Sequence, residues 1–127
     1  MSGPDTPGPP AHFETQPQQD CVVVVATGEI DYQIAARLAA TIYSAAASCP
    51  RVIVDLSAVA FIDSTGLGAL MGARFEAEAE GGCIELVHPP RLVRRLLAST
   101  GLQRAFRVYE TIDEALSSAR SNRVEGS

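Results

Sequence analysis

The sequence predicts an α/β layer in the order β-β-α-β-α-β-α-β-α, with about four helices on a mixed four- to five-stranded sheet that is largely parallel after a first hairpin. Three observations carry that expectation. The β-branched runs Val22-Val23-Val24-Val25 and Val52-Ile53-Val54 are short and wholly apolar, as strands buried on both faces are. Between them Ile34, Leu38 and Ile42 recur at helical spacing. Pro50, Gly81-Gly82, Pro89-Pro90 and Gly101 punctuate the chain where one element should give way to the next.

Taken in order, residues 1–10 are rich in Pro and Gly with almost nothing to bury, and are expected to form a disordered tail. One domain is expected over residues 11–121, with a frayed tail at 122–127. His12 to Thr15 suits a short edge strand, and Cys21 to Thr27 a central one that ends in Gly28-Glu29-Ile30-Asp31. Asp31 stands where a helix needs an N-cap, and the helix that follows should run to about Cys49. Arg51 to Leu56 reads as the next buried strand. It delivers the chain to Phe61-Ile62-Asp63-Ser64-Thr65-Gly66-Leu67-Gly68, where a second helix should begin, with Leu67, Leu70, Met71 and Phe75 inward and a stop at Gly81-Gly82.

Cys83 to Val87 is the following strand, and His88-Pro89-Pro90 turns into a helix with Leu92, Val93, Leu96 and Leu97 as its inner stripe and Gly101 as its C-cap. Ala105 to Tyr109 forms a short last strand. Thr111-Ile112-Asp113-Glu114 opens a final helix in the manner of a capping box, with Ala115, Leu116 and Ala119 turned inward.

Composition narrows the function. At 127 residues and 46% hydrophobic content the chain suits one globular domain, and a net charge of −5 argues against direct nucleic-acid binding and against an anionic membrane surface. All ten basic residues are Arg, and Arg91, Arg94, Arg95, Arg104 and Arg107 cluster in an acid-free stretch that reads as a solvated helix face. Cys21, Cys49 and Cys83 are odd in number and widely separated, as small core residues in a reducing compartment would be. No apolar run suits a signal peptide or a membrane span, so a cytoplasmic protein without membrane insertion is expected.

Catalytic and cofactor chemistry finds little support. Gly66, Gly68 and Gly72 are spaced G-x-G-x-x-x-G and lie inside a helix rather than before it, unlike a dinucleotide loop. The chain has no lysine for a phosphate-binding loop and no G-x-S-x-G elbow. His12 and His88 fall at a strand edge and a turn, neither placed to activate Ser64, and no Cys/His pairing suggests a metal. No enzyme activity, cofactor or metal is expected.

Attention therefore falls on Asp63-Ser64-Thr65-Gly66. Asp, Ser and Thr side chains accept hydrogen bonds from the unpaired N–H groups of a helix's first turn, so this is either an ordinary cap or a site where a phosphate would face the positive end of the helix dipole. Asp31, Asp55 and Asp63, each near a strand end, are expected to converge on the C-terminal rim of the sheet, with the glycines admitting a partner close to the backbone.

Read together, Gly28-Glu29-Ile30-Asp31, then Val54-Asp55-Leu56-Ser57 followed by Phe61 to Gly68, then Arg94-Arg95-Leu96-Leu97 through Thr100-Gly101-Leu102 to Phe106-Arg107-Val108-Tyr109, resemble the STAS domain, in particular stand-alone bacterial anti-sigma factor antagonists. The resemblance covers roughly residues 12–120, and its departures are an Ala-rich first helix and the Pro-rich tail. It implies a STAS fold, monomeric when free, and a partner that is both an anti-sigma factor and a serine kinase. Binding that kinase frees a sigma factor, phosphorylation of the antagonist ends the complex, and a PP2C-like phosphatase restores it. The resemblance places the phosphorylated hydroxyl at Ser64, with Thr65 as the alternative, and the partner-binding surface at Asp31, Asp63, Ser64, Thr65, Gly66 and Leu67. Within the same fold the alternative is a STAS accessory subunit of a membrane ABC transporter, which needs no phosphorylation cycle.

Overall fold

In the computed structural model, residues 11–101 and 106–118 are described. The expected tails at 1–10 and 122–127, the start of the last strand at Ala105, Arg104, and the inward-facing Ala119 lie outside them. Strands β1 (His12–Pro17), β2 (Val22–Ile30), β3 (Arg51–Ile62), β4 (Cys83–Val87) and β5 (Arg107–Tyr109) form one sheet in the order β1-β2-β3-β4-β5. The β1–β2 pair is antiparallel and the other pairs are parallel, as the sequence predicts.

Helices α1 (Tyr32–Ser48), α2 (Ser64–Ala79) and α3 (Arg91–Ser99) are the crossovers between successive parallel strands. Three crossovers stepping the same way along a sheet stack on one face when they share one hand, as such connections almost always do. Accordingly Val22, Val24, Val52, Val54, Ile84 and Leu86 share a core with Leu38, Ile42, Leu70, Val93 and Leu97. The alternate strand residues Val23, Ile53 and Val87 point the other way and meet Ala115, Ile112 and Leu116 from a short helix, α4, at residues 112–118. That helix opens as expected, with the Glu114 N–H donating to Thr111 Oγ1 at 3.1 Å and Glu114 Oε1 accepting from the Glu110 N–H at 3.0 Å.

Several expectations are corrected. β3 does not stop at Leu56 but runs twelve residues to Ile62, and β2 continues through Gly28 to Ile30. The two strands stay paired across register shifts between Val25 and Thr27 and between Gly28 and Glu29, where β3 holds an extra residue each time. Asp55 Oδ1 accepts from both the Ser57 N–H at 3.0 Å and the Ser57 hydroxyl at 2.7 Å, satisfying backbone that the irregular ladder releases. Asp55 is thus a mid-strand residue and does not join Asp31 and Asp63 at the rim.

Phe75 and Leu92, both expected inside, are exposed at 73% and 44%. The inner face of α2 is instead Gly66, Leu67, Leu70, Ala73 and Ala77. Gly81, at φ 85°, ends α2 as anticipated. The arginine patch is not simply solvated, since Arg94 forms a two-pronged pair with Glu110 at 2.9 and 3.1 Å and holds that carboxyl below its usual range.

Candidate functional site

The site grows from one register relation. Ile30 of β2 pairs with Ile62 of β3, so the residues that follow them, Asp31 and Asp63, leave the sheet side by side. Both adopt nearly the same backbone angles (φ −94°, ψ −172° and φ −93°, ψ −176°) and both cap a helix. Asp31 Oδ1 accepts from the Ile34 N–H at 3.0 Å, and Asp63 Oδ1 accepts from the Gly66 N–H at 2.8 Å. Two helix N-termini, α1 and α2, therefore open onto one rim, and their dipoles favour negative charge there.

Asp63, not Ser64, is the cap, which leaves Ser64 as the first residue of α2. Ser64 and Thr65 are both exposed, and among the described residues the Ser64 hydroxyl makes no hydrogen bond. With the Gly66 N–H on Asp63 Oδ1 and the Leu67 N–H on the Asp63 carbonyl at 3.0 Å, the N–H groups of Ser64 and Thr65 remain at the open end of the helix.

Gly66 and Leu67 lie beneath this surface. Leu67 is 8% exposed and part of the core. A Cβ on Gly66 would come within 2.5 Å of Ile62 Cγ1 and 3.4 Å of Ile30 Cγ2, so the glycine lets the first turn of α2 press onto the ends of both strands. Here the absent side chain serves internal packing rather than the approach of a partner.

Two residues not assigned to the contact surface from the sequence frame the rim. Tyr32, directly after Asp31, is 58% exposed, and Phe61, two residues before Asp63, is 46% exposed. Glu29 pairs across from Phe61, so the two segments that end at Asp31 and Asp63 bring acids and aromatic rings to the same end of the sheet. Segments 26–33 and 59–68 carry the acids Glu29, Asp31 and Asp63 and no base.

Neither histidine belongs to this site. His88 follows Val87, which pairs through Asp55, so it lies about seven strand residues, on the order of 20 Å, from Ser64. It faces Glu110 instead, with Nδ1 3.6 Å from Oε1. His12 pairs with Thr27 on β1, two strand spacings from β3. Among the described residues no group of three or more His, Cys, Asp or Glu is placed to hold a metal, and no helix is long and apolar enough to cross a membrane. Burial raises the Cys21 and Cys83 thiols, which favours their neutral form.

Comparison with known proteins places the fold that carries this rim in one family. The STAS domain family profile matches residues 12–115. A Thermotoga neapolitana protein named as a candidate anti-sigma factor antagonist is 38% identical over 66 residues, 52% of this chain; the matched segment spans 58% of that relative's length. The anti-sigma-F factor antagonist RsfB of Mycobacterium tuberculosis is 33% identical over 99 residues, covering 77% of this chain and 80% of that one. Among solved structures, an anti-sigma factor antagonist from Mycobacterium paratuberculosis superposes with a TM-score of 0.75 at 31% identity, over 94% of this chain and 99% of the other. With sequence profile, relatives and solved structure in agreement, the chain belongs to the STAS domain family.

Proposed function

We propose that the protein is an anti-sigma factor antagonist whose binding to an anti-sigma serine kinase is switched by phosphorylation of Ser64. The observation that carries this reading is the placement of Ser64, exposed at the first position of α2 with the cap supplied by Asp63. The names of the relatives and of the solved neighbour support an anti-sigma factor as the partner.

The proposed cycle is the one that the resemblance to anti-sigma factor antagonists implies. The unmodified rim of Asp31, Tyr32, Phe61, Asp63, Ser64 and Thr65 packs against the kinase, which sets its sigma factor free. The kinase transfers the γ-phosphoryl of its ATP to Ser64 Oγ, leaving ADP. A phosphoserine brings about −1.5 to −2 charges, which the N–H groups of Ser64 and Thr65 and the helix dipole accommodate within the fold at a gain of roughly 0.3–1 kcal/mol. Across a packed interface the same dianion sits among acids and loses its water, at a cost of several kcal/mol in order of magnitude. The fold survives and the complex does not. A PP2C-like phosphatase, by adding water across the ester, returns Ser64 and inorganic phosphate. The protein acts in the cytoplasm, where kinase and sigma factor are, and is itself no enzyme.

The test is a pull-down with mass identification. Ser64→Ala retains an ATP-binding anti-sigma kinase and Ser64→Asp loses it, while wild type incubated with that kinase and ATP gains one phosphate at Ser64. Equal recovery with the two variants, or recovery of a transporter ATPase in place of the kinase, overturns the reading.

A further inference from the structure

Helices α1 and α2 pack side by side and leave between them an open groove of about 530 Å³, lined by Ala39, Ala40 and Tyr43 from α1 and by Ala69, Gly72 and Glu76 from α2. Its floor is almost wholly methyl groups, and the half-exposed Tyr43 ring stands at one wall.

Three features say what fits there. First, Gly68 and Gly72 are exposed inside α2, where glycine weakens a helix relative to alanine, yet a Cβ at either position would meet nothing within 4 Å. Unlike at Gly66, no close neighbour among the described residues requires the absent side chain. Second, Ser64, Gly68, Gly72 and Glu76 follow one another at four-residue intervals along the exposed side of α2, so the groove lies on the helix that carries the proposed switch, with Gly72 about 12 Å from Ser64 along the axis.

Third, the charge is one-sided. The base on α1, Arg37, lies over the Phe13 ring at 5.8 Å, and the base on α2, Arg74, pairs with Glu78 at 3.1 Å. Glu76, at the groove, has no ion-pair partner among the described residues, and Glu80 follows one turn on. An occupant of complementary charge brings its own cation.

We propose that this groove is a second docking surface for the anti-sigma kinase, taking a basic amphipathic helix that lays apolar side chains between α1 and α2 and sets an Arg or Lys against Glu76. Side chains of a third helix suit the furrow between two packed ones, and the missing side chain at Gly72 brings its backbone close. The proposal rests on the reading of Ser64 given above, and assigns to that partner a contact that phosphorylation does not touch directly.

The test uses the full chain and the kinase recovered with the Ser64→Ala variant, purified separately, with affinities measured by titration calorimetry. Gly72→Leu, which fills the groove from a position where added atoms find open space, weakens binding by about tenfold or more. Glu76→Lys weakens it severalfold, and Glu76→Gln flattens its dependence on salt. Thermal melts show all three variants folded. If Ser64→Asp abolishes binding while Gly72→Leu and Glu76→Lys leave it unchanged, the groove is not a contact and the switch stands. If the groove variants weaken binding while Ser64→Asp does not, the docking surface stands and the switch falls. Failure of Ser64→Ala to recover any ATP-binding kinase overturns both.

Discussion

Asp31 and Asp63 occupy equivalent joints on neighbouring parallel strands, each leaving the sheet one residue after the paired Ile30 and Ile62 and each spending a carboxylate oxygen on the third N–H of its helix. The two acids that border the proposed contact are therefore also structural. Replacing either by Ala should cost about 1 kcal/mol of stability, within a range of roughly 0.5–2. Asn keeps the cap and removes the charge, so Asp63→Asn should stay within a few tenths of a kcal/mol of wild type in urea denaturation. A binding defect in Asp63→Asn would then report on charge at the interface rather than on folding.

Ser64 behaves oppositely. Its hydroxyl is exposed and makes no hydrogen bond among the described residues, so Ser64→Ala should leave stability within about 0.5 kcal/mol. Ser64→Asp, or phosphorylated protein, places an anion at the start of α2 and should match or exceed wild type by roughly 0.3–1 kcal/mol, an advantage that shrinks with added salt. Thermal melts at low and high ionic strength check both. A phosphorylated form markedly less stable than wild type would show that the helix end does not accommodate the group.

Tyr32 and Phe61 should contribute most of the binding energy at the rim. Exposed aromatic rings beside a polar centre are the side chains that carry interfaces, and truncating one commonly costs about 2 kcal/mol or more in binding. Tyr32→Ala and Phe61→Ala should each weaken kinase binding by at least about tenfold while shifting the unfolding midpoint little. Calorimetric titration alongside denaturation separates the two effects.

The glycines of α2 should divide by position. A methyl group on Gly66 would meet Ile62 Cγ1 at 2.5 Å, so Gly66→Ala forces the first turn off the strand ends and should destabilise by about 1–3 kcal/mol. At Gly68 a methyl group meets nothing, and Gly68→Ala should stabilise by about 0.5–1 kcal/mol. Opposite signs from the same chemical change, two residues apart, can be read from one pair of urea curves.

What the sequence made legible was local. The caps at Asp31, Asp63 and Thr111 and the stop at Gly81 depend on a few neighbouring residues, and all appear in place. The inner face of α2 was misjudged because large apolar residues at helical spacing outweighed small ones. The helix is turned so that Gly66, Ala73 and Ala77 pack inward, which leaves Phe75 in solvent. The full length of β3 was hidden because extra residues opposite β2 break the two-residue alternation that marks a strand. At the rim, Ser64 and Thr65 were evident from motif chemistry, whereas nothing in sequence separates an exposed Tyr32 or Phe61 from a buried aromatic ring. Least visible was the pairing of Arg51 with Glu85, 34 residues apart, which exists only once β3 and β4 are in register.

That pair gives the most severe prediction. Arg51 and Glu85 are 7% and 4% exposed. Nε donates to Glu85 Oε1 at 3.0 Å, Nη2 donates to the same oxygen, and Nη2 also donates to the Ala115 carbonyl of α4 at 2.9 Å. Burial alone would lower the guanidinium's pKa, but the hydrogen bond and charge of Glu85 outweigh it and the net shift is upward, so the arginine stays charged. Among the described residues its buried Nη1 has no hydrogen-bond partner, so there the network is short of one acceptor. Removing one partner strands the other as a buried charge, and Glu85→Leu or Arg51→Met alone should cost on the order of 3–5 kcal/mol. The double variant removes both charges and the unsatisfied Nη1 together, and should recover most of that loss because apolar side chains fill the same space beside Ile53 and Ala115. It also removes the donor to Ala115, so amide exchange in α4 should speed up even where global stability returns. A double variant as unstable as the worse single one would mean that the ion pair, and not the packing around it, holds α4 to the sheet.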